Sequence, residues 1–363
     1  MLKTFPCDKF LLVIVLFLLA VGIIMIYSSS AIFAGEKFDD PNRFLLRQIA
    51  WTLLGLASLY VFLQWDYHKL PIVIYAGLLV CLLSLITVLI PKFGVEINGA
   101  RRWLSFGFIN FQPSEFTKLI LTLYFAFILA KKRERIQDFN YAILPLLVLI
   151  SLYLLLIVLE PDLGTVIIIG IILFSMLFLA GARMSHLMVL VLGLLPFLYV
   201  LIWHVGYRRE RILAFLEPEK DPLNTGFQVI QSKIAIGSGG TFGRGLGEGV
   251  QKLYYLPESH TDFIYSVLCE ELGFIGGVTI IILFMLFIWR GMRIALHAPD
   301  YYGSLLATGI TLMIGIQAFI NMAVVMGIFP TKGLALPFIS FGGSSLLSNL
   351  TATGILLNIS AKV

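Results

Sequence analysis

The chain has 363 residues, of which 59% are hydrophobic and 13% charged, with a formal net charge of +5. Soluble domains are roughly half apolar and a quarter charged, so this composition excludes a soluble globular enzyme or binding module. The apolar runs are continuous rather than alternating, which excludes a membrane β-barrel and predicts an all-α polytopic membrane protein.

About 20 apolar residues are needed to cross the hydrocarbon layer as a helix. About ten transmembrane helices meet that test, over residues 10–34, 45–65, 70–90, 113–130, 141–158, 163–180, 186–203, 263–290, 302–328 and 336–359. The first follows Lys3 and Lys9 and resembles a signal peptide, but so many spans follow that an uncleaved helix is expected. Trp65, Trp203 and Trp289 fall at span ends, where aromatic belts belong. The three cysteines, Cys7, Cys81 and Cys269, are odd in number and show neither disulfide nor metal spacing. No repeat is evident, and residues 1–363 read as one domain.

Lys131, Lys132, Arg133 and Arg135 cluster after the fourth span. With the flanks of the first span, they favour cytoplasmic N- and C-termini under the positive-inside rule. The raw Lys and Arg tally points the other way until the long hydrophilic stretch at 204–262 is set aside, because long loops cross largely regardless of charge. That stretch becomes one long extracytoplasmic loop between helices 7 and 8. Its outer-face cations suit a phosphate-bearing substrate.

Within the loop, residues 207–216 read as a short interfacial helix ended by Asp221-Pro222, and Phe227, Ile230 and Ile234 recur at helical spacing. Gly237, Gly239, Gly240, Gly243, Gly245, Gly247 and Gly249 follow. They admit two readings, a segment that closes over substrate or a tolerant connector. No strand–helix–strand context surrounds them, so a dinucleotide site is not expected.

The loop closes on Leu256-Pro257-Glu258-Ser259-His260-Thr261-Asp262-Phe263. Asp262 has two compatible readings: an N-cap for the next span, or a carboxylate beside an apolar wall whose raised pKa suits a general base. Glu258 and His260 are its nearest titratable neighbours. Glu115 and Lys118, three residues apart, share one face of the fourth span, as a functional pair or as an ion pair that orients helices. Asp162, in Glu160-Pro161-Asp162, is a helix cap or a second carboxylate on the outer side. Arg101 and Trp103, in Asn98-Gly99-Ala100-Arg101-Arg102-Trp103, suit phosphate with sugar or lipid contact, or simple interface anchoring. Pro330, Pro337 and Gly342-Gly343 break the last span at membrane depth, which is tolerated where backbone lines a cavity. Of Glu270 and Glu271, at most one can face that cavity.

Together the stretches 98–103, 111–118, 160–165, 237–249, 256–263 and 317–345 resemble the SEDS family (shape, elongation, division and sporulation), nearly end to end and in order. The resemblance implies a peptidoglycan glycosyltransferase of the bacterial cytoplasmic membrane that polymerises lipid II onto an undecaprenyl-diphosphate-linked glycan. It implies a class B penicillin-binding protein as partner, with other division or elongation membrane proteins, and no nucleic acid. Asp262 matches the family's essential aspartate, and Trp103, Glu115, Lys118 and Asp162 match other positions it relies on. Arg101, Lys118, Arg211 and Lys332 are the cations expected to offset a leaving diphosphate. No cofactor is required, although a divalent cation, Mg2+ or Mn2+, is compatible. The details lean to a division enzyme, with an elongation polymerase, a lipid II flippase and a recruiting scaffold as alternatives.

Overall fold

The computed structural model describes residues 7–97, 99–107, 109–220, 226–253 and 255–363. The expectations placed on Lys3, Asn98 and Asp221-Pro222 lie outside these residues. Twelve α-helices run through the described chain. They are α1 (Lys9–Phe38), α2 (Arg43–Gln64), α3 (Leu70–Leu89), α4 (Pro113–Lys131), α5 (Leu144–Leu159), α6 (Leu163–Leu179), α7 (Met184–Trp203), α8 (Gly206–Leu216), α9 (Phe227–Ser238), α10 (Ile264–His297), α11 (Tyr301–Val325) and α12 (Gly343–Ser360). Among the described residues, eight helical stretches are long and apolar enough to cross a membrane. Two further predicted spans correspond to α6, with 17 residues, and α12, with 18.

Burial sorts these helices. α4, α11 and α12 form the inside of the bundle, while α2, α3 and α7 present most of their surface outward. α12 packs on α2, and α11 packs on both α10 and α4. α12 is the least apolar of the three inner helices in appearance, with Asn349, Thr351, Thr353 and Asn358, yet every one of its residues except Leu347 is buried. Its hydroxyls donate back along the helix, as Thr353 does to the Asn349 carbonyl at 2.8 Å. Other polar groups reach neighbouring elements, Ser348 donating to the Glu115 carbonyl at 3.1 Å and Asn358 to the Leu63 carbonyl at 2.7 Å, so a polar helix is tolerated inside.

The two ends of the bundle are distinct. At one end the chain termini meet: the Asp8 amide donates to Ser360 Oγ at 3.0 Å, and Asp8 pairs with Arg290 at 2.8 Å. At the other end lie the close of α1, the turn before α10 and the irregular segment before α12.

That second end also holds a three-stranded antiparallel sheet, β1 (Gly94–Ile97), β2 (Ala100–Phe106) and β3 (Ile109–Phe111), in the order β1-β2-β3. Val95 pairs with Trp103 and Leu104 with Phe111. The basic loop expected at 98–103 is therefore a tight turn and the strand that follows it. Gly99 and Gly107 supply the positive φ values, 74° and 73°, that its two reversals require.

The last span begins later than its apolar pattern suggests. Residues 326–342 are irregular, and helix resumes only at Gly343. Gly343 is required there, because the Trp51 indole from α2 occupies the space a Cβ would need.

The glycine-rich stretch is neither a free flap nor a loose connector. Val250 and Gln251 amides donate to the Glu270 carboxylate at 2.9 and 3.1 Å, and the Gly247 amide donates to Glu271 at 3.1 Å. Lys252 Nζ adds an ion pair to Glu271 at 2.6 Å. A Cβ at Gly243 would collide with the Glu271 carbonyl, so only glycine permits this approach. α10 bends at the contact, where Gly273 takes φ 69°, ψ −168°. Both glutamates are thus spent fastening this stretch, and neither lines the central cavity.

Candidate active site

A cavity of about 370 Å3 opens at the end of the bundle away from the termini. Three segments build its floor. The turn at 258–262 precedes α10, the irregular segment supplies Thr331, Lys332 and Gly333, and α4 contributes Glu115. Trp103 and Arg102 from β2, Arg211 from α8 and Arg47 from α2 close the walls.

The 258–262 turn is held firmly. Glu258 adopts a left-handed φ of 57°, a strained state for a residue with a side chain. Its carbonyl accepts from the Thr261 amide at 3.1 Å, and Thr261 Oγ1 donates to its carboxylate at 2.9 Å. Ser340 Oγ donates to the Thr261 carbonyl at 2.6 Å, and the Phe341 amide donates to the His260 carbonyl at 3.0 Å. Asn321, buried on α11, donates through Nδ2 to the carbonyls of both Asp262, at 2.9 Å, and Leu334, at 2.6 Å. Two irregular segments, far apart in sequence, are sewn together here, each supplying groups the other's backbone lacks.

Asp262 does not cap α10. The helix N-cap is Phe263, without a side-chain bond, and the Asp262 carboxylate makes no hydrogen bond among the described residues. It faces the cavity instead. Burial pushes its pKa up to about 7, Glu258 adds to the rise, and Arg102 and Arg211 oppose it. A carboxylate that titrates near neutrality is matched to taking a proton. Gly333 leaves it room: a Cβ there would stand 3.2 Å from Asp262 Oδ2.

His260 packs between Phe33, Phe44 and Phe341, with the Phe44 ring centroid 4.7 Å away. Burial holds its pKa below the usual imidazole value, against the pull of Glu258. Lys332, also burial-shifted, falls to about 8, with Asp162 opposing the change.

Of the residues singled out in the sequence, the cavity gathers Trp103, Glu115, Arg211, Glu258, His260, Asp262 and Lys332. Three are placed elsewhere. Arg101 reaches Glu96 at 3.2 Å on β1 and does not line the cavity; its neighbour Arg102 does. Lys118 is wholly buried beneath the floor, where its Nζ donates to Glu115 at 2.8 Å and to Gln317 Oε1. Asp162 is a helix cap, accepting from the Thr165 amide at 3.1 Å and the Thr165 hydroxyl at 2.8 Å.

Sequence reasoning included Arg102 only within the 98–103 motif and did not single out Gln317 or Asn321. Arg102 donates through Nε to the Glu160 carbonyl at 3.0 Å, and through Nη2 to the Pro161 carbonyl, which fixes one edge of its guanidinium and leaves Nη1 on the cavity side by Gly333. Gln317 and Asn321 stand one turn apart on α11. Gln317 Nε2 donates to the Ala335 carbonyl at 2.8 Å. One connected path therefore runs from Glu115 through Lys118 and Gln317 to Ala335, then from Leu334 through Asn321 to Asp262. Two amides four residues apart in a buried span were the available signal.

Among the described residues, no group of three or more His, Cys, Asp or Glu is placed to hold a metal ion.

Residues 9–363 match the family described as cell cycle protein, FtsW/RodA/SpoVE. A Geobacter metallireducens protein, "Probable peptidoglycan glycosyltransferase FtsW", is 47% identical over 356 residues, covering 98% of this chain and 95% of its own. "Stage V sporulation protein E" of Bacillus subtilis is 45% identical over 359 residues, covering 99% and 98%. Among solved structures, a chain of a peptidoglycan synthase complex that coordinates polymerization and crosslinking superposes with TM-score 0.80 at 33% identity, over 99% of this chain and 98% of that one. The Thermus thermophilus rod shape determining protein RodA superposes with TM-score 0.72 at 30% identity, over 98% and 96%.

Proposed function

The chain belongs to the FtsW/RodA/SpoVE family of cell cycle proteins, and from that membership we propose how its cavity works as a peptidoglycan glycosyltransferase. It is a multi-pass membrane protein, and its chemistry belongs at the end of the bundle where Asp262 sits. With the termini in the cytoplasm, that end faces outward, where lipid-linked sugar precursors are polymerised.

The observation that carries the reading is the Asp262 carboxylate, pushed up to about 7 and sharing its cavity with Arg47, Arg102, Arg211 and Lys332. Asp262 takes the proton from the 4-hydroxyl of the N-acetylglucosamine of an incoming lipid II. That oxygen attacks the anomeric carbon of the growing strand, the bond to the undecaprenyl diphosphate breaks, and the configuration inverts. Arg102, Arg211 and Lys332 face the departing diphosphate and offset its developing charge. Trp103 offers an apolar face against a sugar ring. Glu258 raises the basicity of Asp262, and the Glu115–Lys118 pair supports the floor rather than contacting the diphosphate. A Mg2+ or Mn2+ ion would arrive on the substrate's diphosphate rather than in a protein cage.

The donor is already activated, so no nucleotide is needed. A class B penicillin-binding protein is the fitting partner, because a polymerised strand must still be crosslinked and a solved relative lies in a synthase complex doing both. The relatives named FtsW favour a role in division.

The decisive experiment incubates the purified protein with labelled lipid II and resolves the products on a gel. The wild type gives a glycan ladder. Asp262→Asn gives none while still binding lipid II. A ladder of equal strength from that variant overturns the assignment of the base, and lipid movement without any ladder in the wild type identifies a flippase instead.

A further inference from the structure

At the end bearing the termini, the connector from α4 to α5 meets the start of α7. The two segments touch through Phe139 and His186, whose rings lie edge to face with centroids 5.2 Å apart. Between them is a hollow lined by Arg135, Gln137, Asp138, Phe139, Arg183 and His186. The connector is unusual in itself, since Phe139–Ile143 forms a π-helical turn, a feature that recurs at functional positions.

The polar groups of this hollow are unequally spent. Asp138 is fully engaged: one carboxylate oxygen accepts from Arg135 at 2.8 Å and the other from the Tyr141 amide at 3.2 Å. Arg135 also lies flat on the Tyr141 ring, 4.1 Å from its centroid. Lys132, on the same connector, is occupied by the Tyr141 carbonyl at 2.6 Å. The Arg183 side chain, by contrast, is exposed and makes no hydrogen bond or ion pair among the described residues. His186 Nδ1 is enclosed and has no hydrogen-bond partner. The charged side chains of the hollow, Arg135 and Arg183 against Asp138, sum to one positive unit, which one negative charge balances.

The surroundings say where that anion comes from. α7 is bare along almost its whole length. Its first turns expose Met184, Met188 and Leu192, and α5 exposes Leu144, Val148 and Leu152 beside the same connector. Both sets of side chains run away from the hollow along the hydrocarbon region. Arg133 and Arg135 stack on Tyr301 and Tyr141, as cations and aromatics do at the depth of lipid head groups.

We propose that this hollow binds the phosphodiester head of an anionic phospholipid, with Arg183 and His186 on the phosphate and the acyl chains against α5 and α7. Basic pockets between spans are suited to such head groups, and each surface cation contributes about a five-fold change in affinity.

The test uses the full-length protein in detergent. Retained lipid is read by native mass spectrometry during titration with phosphatidylglycerol, phosphatidylcholine or inorganic phosphate. The wild type retains phosphatidylglycerol at least about five-fold more tightly than phosphatidylcholine. Arg183→Gln, at an exposed side chain with no bonds to lose, reduces that retention about five-fold, and Arg183→Lys keeps most of it. Arg293→Gln, at the same end of the bundle but outside the hollow, leaves it unchanged. Equal retention by Arg183→Gln and wild type overturns the proposal, as does an equal loss from Arg293→Gln. Equal affinity for phosphatidylcholine refutes a head-group charge requirement. Displacement of the lipid by millimolar inorganic phosphate shows a soluble-anion site and overturns the lipid assignment.

Discussion

At the residue scale, the contrast between Asp162 and Asp262 is the instructive one. Both precede a helix and both read as caps. Asp162 spends its oxygens on Thr165, while Asp262 leaves the capping position to Phe263 and keeps its carboxylate in the cavity. A base that must be ionised makes polymerisation rise with pH through about 7, the value to which burial pushes Asp262. Glu258 contributes to that rise, so Glu258→Gln should move the inflection of kcat/KM to lower pH by about one unit or less. An unmoved inflection would show that another group titrates. Glu160 behaves differently. Its carboxyl is fully buried with both oxygens unpartnered, and burial followed by Asp162 pushes its pKa up to about 9. It is therefore neutral at pH 7 in the folded state and ionised in the unfolded state. Stability falls as pH rises from the ordinary glutamate value toward 9, because the folded chain holds a proton that the unfolded chain releases. Glu160→Gln should flatten that decline in a thermal melt followed from pH 5 to 9. An unchanged slope would place the titration on another group.

At the scale of elements, the spans were legible because their apolar runs are unbroken and long. At α12 the break was legible in Pro330, Pro337 and Gly342-Gly343, while the demand for glycine at 343 was not, because it is set by the Trp51 indole of another helix. The β2 strand was read as a basic loop, and Arg101 and Arg102 are adjacent and identical. Which of the two faces the cavity depends on strand register, and that depends on pairing with β1. Asp262, Glu258, His260 and Lys332 were legible because polar residues beside an apolar run are conspicuous; Asn321 and Gln317 were hidden as uncharged amides inside one. Asn321 carries two backbone carbonyls across a buried junction, and an orphaned buried acceptor costs about 1–3 kcal/mol. Asn321→Ala is expected to lower kcat about ten- to a hundred-fold, since a misplaced base loses rate steeply, while lipid II affinity stays near wild type. Parallel loss of affinity and rate would mean that the cavity itself has collapsed. The glycine stretch makes a similar demand. Gly243→Ala has no room beside the Glu271 carbonyl, and lower thermal stability is the expected reading.

At the scale of the whole molecule, the bundle separates two jobs by its length. The far end holds Asp262, Glu258 and Glu115 with Arg47, Arg102, Arg211 and Lys332 around a cavity; the near end joins the start of α1 to the close of α12 through Asp8, Arg290 and Ser360. The long stretch between α7 and α10 is folded structure in its own right, with α8 lending Arg211 to the cavity and Glu270 and Glu271 anchoring the remainder. The meeting of the two chain ends carries a practical consequence for watching this protein in cells. A fluorescent tag attached at either extremity should sit in the same compartment, which the proposed orientation makes the cytoplasm. A cysteine introduced at Phe242, which is 81% exposed on the glycine stretch, should by contrast react with a membrane-impermeant reagent added outside intact cells from which the outer barriers have been stripped.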